Sequence, residues 1–288
     1  MRIAVVGAHG FVGRHLTRLL SNQGINAVLI GRSDTASVSL SAGLGGCDAL
    51  VNCAGNKDGI GAPARQANIE LPLRLLDAAG TAKIPVMVQV SSVAAVTSKS
   101  SPDETVTDEH PGCPTSAYGI SKWEGDEALL QKARERDHDV AVAILRPPIL
   151  IGPDASGVFG LLRSMARAGV PLPLAGIQNR RSVMHVNNFA AAILAAAKAR
   201  CAGAFIVTDS PPLSSAELYV RMLAAAGYRR RIFPVGAAIR ALLRKAMRGR
   251  GESLFGDAAY SGDRFEAAAR ISWPIPPAEV VERAMLED

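Results

Sequence analysis

Residues 7–13, Gly-Ala-His-Gly-Phe-Val-Gly, follow directly on the short apolar run Arg2–Val6 and lead into a stretch whose apolar residues recur at helical spacing as far as Gly24. Few local patterns constrain a chain as strongly as strand, glycine turn and helix in immediate succession. Gly7 allows the tight turn, Gly10 lets the backbone approach a pyrophosphate, and Gly13 lets the helix pack close to the sheet. The helix start, with Phe11 and Val12, then offers N–H groups and a partial positive charge to phosphates. In this context the loop is a dinucleotide-binding candidate.

The pattern returns. Apolar runs at 25–30, 48–54, 86–92 and 140–147 read as further strands, with helical stretches near 63–80 and 116–136 between the later ones. Nearly continuous apolar strands alternating with helices predict a parallel sheet covered on both faces, an α/β Rossmann-type doubly wound domain over residues 1–150. Beyond about residue 150 the rhythm changes to proline-rich and glycine-rich turns mixed with alanine-rich helical segments. This predicts a smaller substrate-binding lobe over 151–288, with an approximate boundary that the chain is free to recross. Only residues 31–47 separate the second and third runs. That leaves little room for a full helix and a further strand between them.

Composition narrows the class. With 288 residues, 48% of them hydrophobic, and no apolar run of the roughly 20 residues that a spanning helix needs, the chain reads as globular. Four cysteines, at 47, 53, 113 and 201, show neither C-x-x-C pairing nor histidine spacing suited to zinc, so no disulfide framework or metal site is expected and a reducing cytoplasm fits best. The net charge of +6 is uneven: residues 229–251 are arginine-rich and free of acid. A solvated basic helix, contact with an acidic nucleotide, or peripheral contact with a membrane surface would each suit that run. Nucleic-acid binding is not expected, because Tyr228 and Phe233 are the only aromatic residues near it.

Two further patterns carry chemistry. Tyr118 and Lys122, four apart in "SAYGISKWEGDEAL", fall on one face of a predicted helix and can reach one pocket. A free phenol has a pKa near 10, and a nearby ammonium would favour its ionised form, so Tyr118 is a candidate acid/base. The second run ends "LIGRSD". There an acidic residue would accept the ribose 2′-hydroxyl of NAD, whereas the planar fork of Arg32 suits the 2′-phosphate of NADP; Asp34 keeps the NAD alternative open.

Taken in order, "GAHGFVG", "DALVNCAG", "ANIELPLRLLDAA" with Asn68, "VSS" at 90–92, "YGISK" at 118–122, "LRPPILIGP" at 145–153 and "RRSVMHVNN" at 180–188 resemble the extended short-chain dehydrogenase/reductase family, in its NAD(P)-dependent sugar epimerase/dehydratase branch. The resemblance covers about two thirds of the chain and implies a catalytic set of Ser92, Tyr118 and Lys122. Lys122 would also hold the nicotinamide ribose hydroxyls, and Ser92 would fix the substrate oxygen. It further implies that Cys53, Ala54 and Gly55 pack against the nicotinamide side, that Asn68 reaches toward the cofactor region, that Pro147 meets the carboxamide, and that Arg181 holds a substrate diphosphate. His185 reads as a packed strand residue. One departure concerns the serine: counting back four from Thr97, where relatives carry tyrosine, lands on Val93, so Ser92 is chosen over Ser91 from relatives whose motif ends in two serines.

The expected function is therefore an NAD(P)-dependent oxidoreductase acting on a nucleotide-linked sugar, as a 4-keto reductase using NADP in polysaccharide precursor synthesis. The alternatives are a 4-epimerase with tightly bound NAD and, in another class, a non-catalytic NADP-binding regulator or assembly factor. "SSVAAV" lacks the Asp-Glu pair that dehydration uses in related dehydratases. A homodimer is expected.

Overall fold

The computed structural model describes all residues except 32–34, 36–39, 136–138, 237–253 and 287–288. Arg32 and Asp34 therefore lie outside the described residues, as does most of the basic segment. Strands β1 (Arg2–Val6), β2 (Asn26–Ile30), β3 (Ala49–Asn52), β4 (Val86–Val90) and β5 (Ala141–Arg146) lie in one sheet; β6 (Ile149–Ile151), β7 (Leu172–Ala175) and β8 (Val183–His185) lie outside it; β9 (Gly203–Ile206) returns to it, and β10 (Ile232–Pro234) pairs with β7. The six-stranded sheet has the order β2-β1-β3-β4-β5-β9 and every pairing in it is parallel. Between β2 and β3 the described residues hold one short helix, α2 (Leu40–Gly43), after α1 (Phe11–Asn22), so β2 forms the sheet's edge as the short spacing predicts.

Alternation along the strands builds two cores. On β1, Ile3 and Val5 face one layer while Ala4 and Val6 face the other, all at most 3% exposed. The second layer holds α4 (Leu71–Thr81), reached through α3 (Gly61–Arg65) and one π-helical turn, Gln66–Glu70, and also α5 (Ala117–Glu135). In the lobe, α6 (Gly157–Arg167) precedes α7 (Val186–Ala199), which lies against α1 in the first layer. Ala190, Ala192 and Ala196 of α7 are fully buried, and these small side chains let the helix lie close to the sheet. After residue 150 the chain thus returns to the sheet: α7, β9 and, through Phe265 and Ala269, part of the later chain pack in its layers, and other segments after residue 150 form a lobe.

That lobe has its own core, built from α6, α8 (Ser215–Ala225) and α10 (Val280–Leu286) around Phe159, Tyr219 and Met222, while α9 (Asp263–Ala269) packs on α7. A buried polar lock joins the two parts. Asn188 on α7 donates to Asp209 Oδ2 (2.8 Å) and to the Ile275 carbonyl (2.9 Å), and accepts from the Ile275 amide (2.9 Å). Asp209 also accepts from the His185 amide (2.9 Å), which ties β8 to the chain beyond β9. No helix among the described residues is long and apolar enough to cross a membrane.

Candidate active site

The glycine loop is fixed by contact as much as by conformation. Gly7 has φ +76°, and a side-chain carbon there would lie 2.7 Å from the Ala54 amide nitrogen; at Gly13 it would lie 2.2 Å from the Gly7 carbonyl oxygen. Both are below any tolerable approach, so β3 and α1 can close on the loop only with glycine in place. Gly10 caps α1 without a side-chain hydrogen bond and no acidic residue sits in the first turn, leaving the helix start to an external anion.

Beside the loop, the chain leaving β3 is held by a buried amide pair. Asn52 donates to Gln89 Oε1 (2.8 Å) across the β3–β4 register and its Oδ1 accepts from the Ala54 amide (3.0 Å). This turns Cys53, Ala54 and Gly55 toward the cleft. Burial pushes the Cys53 thiol to about 12, so that side chain is an inert wall. Next along, Asn56 Oδ1 accepts from the amides of Asp58 and Gly59, and Gly59, at φ +69°, packs on the backbone of Tyr118.

Asn68 sits in the π-helical turn and is 2% exposed. Its Oδ1 accepts from the Asn56 amide, and its Nδ2 donates to the Asn56 carbonyl and to Ser121 Oγ, each at 2.9 Å. It clamps the 55–59 loop to α5 from behind. Close approach continues along α5, where a side-chain carbon at Gly119 would meet the Ala94 carbonyl at 2.3 Å and one at Gly125 the Asn68 carbonyl at 2.0 Å.

The two serines after β4 part company. Ser91 is buried and donates to Asp126 Oδ2 (2.8 Å). Ser92 accepts from the Ala94 amide (3.2 Å) and lies close enough to the Tyr118 phenol to lower its pKa by hydrogen bonding. Burial is the larger influence on Tyr118 and raises it, and the Asp126 carboxylate raises it further, so the group is a protonated phenol at neutral pH. Lys122 is 4% exposed and donates to the Val90 carbonyl (2.8 Å); burial lowers its pKa and Asp126 opposes that.

One cleft of about 330 Å³ gathers most of the residues singled out by sequence: Gly10, Phe11 and Val12 from the loop and α1, Cys53, Ala54 and Gly55 beyond β3, and Ser92, Tyr118, Lys122 and Pro147. Gly7 and Gly13 shape it from beneath. The Pro147 carbonyl accepts from the Val93 amide (3.0 Å), which pins the chain after β5 to the Ser92 corner. Arg181 is not part of the cleft lining: its Nη1 donates to the Gly256 carbonyl (2.9 Å) and its backbone bridges Leu213 and Ala258. His185 is fully buried, and desolvation holds it neutral, with a pKa lowered to about 4. Sequence reasoning passed over Asn56, Gly59, Asp126 and Arg146. A signal existed for Asp126, which continues the Tyr118–Lys122 face by another four residues.

A glycine-bound dinucleotide cradle and a Ser-Tyr-Lys set at the carboxyl ends of a parallel sheet define an extended short-chain dehydrogenase/reductase. The family model of the NAD dependent epimerase/dehydratase family matches residues 3–206, and the chain belongs to that family. It is 36% identical over 116 residues to a UDP-glucose 4-epimerase of Vibrio cholerae, covering 39% of this chain and 34% of that one. It is 26% identical over 252 residues to a 4-hydroxy-2-methyl-3-oxo-4-farnesyl-3,4-dihydroquinoline-1-oxide ketoreductase of Stigmatella aurantiaca, covering 80% and 74%. The chain thus spans about a third of the length of the first relative and about three quarters of the second. In structure it resembles a UDP-N-acetylglucosamine 4-epimerase of Bacillus cereus with TM-score 0.80 at 19% identity, over 99% of this chain and 96% of that one.

Proposed function

We propose that the protein is an NAD(P)-dependent oxidoreductase acting at a carbinol or carbonyl carbon of a nucleotide-linked sugar, working as a 4-keto reductase with NADP. The observation that carries this reading is the convergence of Ser92, Tyr118 and Lys122 on the cleft floored by the glycine loop. The residues fit the dinucleotide, since Gly7 and Gly13 let β3 and α1 close beneath a cleft that Gly10 and the uncapped start of α1 open onto. When bound, the cofactor supplies or removes a hydride at the substrate carbon.

The chain's own residues do the rest. Gly10 and the amides opening α1 hold the pyrophosphate, and Cys53 and Pro147 wall the nicotinamide side. Ser92, which accepts from the Ala94 amide and hydrogen-bonds the Tyr118 phenol, turns its hydroxyl hydrogen to the substrate oxygen when substrate is bound. Tyr118, held as a phenol by burial, gives its proton to that oxygen in the reductive direction. Lys122 then stabilises the phenolate left behind and binds the ribose hydroxyls. Arg181 meets the substrate diphosphate by exchanging its Gly256 contact for it. Arg32 reads the 2′-phosphate, so reduction is the net direction. The reading places the enzyme in the cytoplasm as a homodimer.

A second reading, a 4-epimerase with retained NAD, draws on the similarity to the Vibrio cholerae enzyme. Cofactor content separates the two. Protein purified free of dinucleotide that prefers NADPH, with the preference lost in Arg32→Ala, supports the reductase. NAD carried through purification, with interconversion of UDP-glucose and UDP-galactose, overturns it in favour of the epimerase.

A further inference from the structure

Behind the cleft, α5 carries a third ionisable residue on the face of Tyr118 and Lys122. Asp126 is 2% exposed and stands one helical turn beyond Lys122. Its Oδ2 accepts from Ser91 Oγ at 2.8 Å and from Arg146 Nε at 2.9 Å, and the Arg146 and Asp126 side chains are 9% and 3% exposed. The residue therefore touches the strand end that presents Ser92 and pairs with the last residue of β5. A buried carboxylate, ammonium and guanidinium so close together are costly unless their charges balance.

We propose that Asp126 is a positioning residue that keeps the buried Lys122 amine in its ammonium form and holds the Ser91–Ser92 corner against the catalytic helix. The inference rests on the functional reading above and adds a residue to it. Among the described residues Lys122 has no acidic partner in direct hydrogen bond: its Nζ is bonded to the Val90 carbonyl. In a site this dry an amine with only a neutral partner sheds its proton, and an uncharged Lys122 neither stabilises a phenolate nor donates three hydrogen bonds. The charge of Asp126, fixed across one turn, opposes that loss. Burial raises the Asp126 carboxyl above the ordinary range; Arg146 in the first place, then Lys122 and Ser91, work against it. Since a guanidinium does not give up its proton, Arg146 holds the pair ionic.

The other groups around Lys122 do not substitute for Asp126. Tyr118 on α5 is a neutral phenol, Cys53 beyond β3 stays protonated up to about 12, and Asn68 and Ser121 are neutral and bonded to each other. Lys57 at the cleft rim and Arg146 on β5 are basic side chains, not acidic ones. Asp108 lies past Arg146, where the Ile206 amide and Arg264 engage it.

The test is the pH dependence of NADPH and NADH affinity, followed by nicotinamide fluorescence in wild type, Asp126→Asn and Asp126→Glu, with the melting temperature of each recorded at pH 6. Binding needs the Lys122 ammonium, so it weakens as pH rises through the lysine's pKa. The proposal predicts that Asp126→Asn moves this weakening to lower pH by about one unit or more, an affinity at least about fivefold below wild type at the wild-type midpoint, and that Asp126→Glu moves it back. A midpoint unchanged in a folded Asp126→Asn overturns the proposal and leaves the functional reading standing. If the amide variant does not fold, the wild type decides: affinity held past pH 8 supports a carboxylate-fixed ammonium, and affinity already lost by pH 7 contradicts it. Wild type that binds neither dinucleotide overturns the functional reading and the proposal together.

Discussion

At the scale of single residues, the site is defined by what cannot be larger and by what must carry a proton. Replacing Gly13 with alanine sets a carbon 2.2 Å from the Gly7 carbonyl oxygen, backbone against backbone with no flexible side chain to yield. Gly13→Ala is expected to lower stability by about 1–3 kcal/mol and to weaken dinucleotide binding at least about tenfold, read by thermal melting and fluorescence titration. Ser92→Ala removes the donor to the substrate oxygen while leaving cradle and lysine in place. It is expected to lower kcat about 10–100-fold with the dinucleotide Kd unchanged, as steady-state kinetics beside binding would show. The glycines and the tyrosine–lysine pair were legible in sequence because their spacing is local. Ser92 was legible only by resemblance, and the structure adds the reason to separate it from Ser91: one hydroxyl turns to Asp126 and the other toward Tyr118. Asp126 carried a local signal in its four-residue step from Lys122, but its pairing with Arg146 did not, since nothing in the one-dimensional order brings residues 126 and 146 together.

At the scale of elements, β1, β3, β4 and β5 lie within the predicted apolar runs because a strand buried on both faces has little room for polar residues. β9 escaped notice. Gly-Ala-Phe-Ile is a four-residue run opened by a glycine at φ +115°, and such a run gains its strand partner only from β5, about sixty residues earlier. The lock between α7, β8 and the chain after β9 was equally silent, although it holds lobe and sheet together. It carries two opposed titrations. His185, with a folded pKa of about 4 against an ordinary 6.5, adds stability present above pH 6.5 and lost as pH falls toward 4. Asp209, raised by burial to about 6 from an ordinary 3.8, adds stability present below pH 3.8 and lost as pH rises through 6. Between pH 4 and 6 the two slopes cancel in the wild type. His185→Gln should therefore show stability falling across that window by about 2–3 kcal/mol, and Asp209→Asn stability rising by a similar amount, both measured by denaturant unfolding at stepped pH. Parallel slopes in the two variants would contradict the assignment.

At the scale of the whole molecule, a six-stranded parallel sheet has its edge at β2, and segments after residue 150 build a separate core around Phe159, Tyr219 and Met222. The change of rhythm near residue 150 left room for the chain to cross back but did not say which segments do so, because alanine-rich helices look alike wherever they pack; α7 and β9 are the ones that join the sheet. On the proposed reading, Arg32 sets the choice between the two dinucleotides. Arg32→Ala is accordingly expected to bring NADPH affinity down about tenfold or more while leaving that for NADH within about twofold, read by parallel titrations. The central claim is that Tyr118, set between Ser92 and Lys122, hands a proton to a substrate oxygen while hydride passes to its carbon. Its most direct test is transfer of deuterium from the nicotinamide 4-position of labelled NADPH to a UDP-4-keto-hexose, in wild type and Tyr118→Phe. The account predicts label at the sugar carbon in the wild type and, in the variant, transfer at least about a hundredfold slower with NADPH still bound. No label on the sugar from the wild type, or undiminished transfer by Tyr118→Phe, would contradict it.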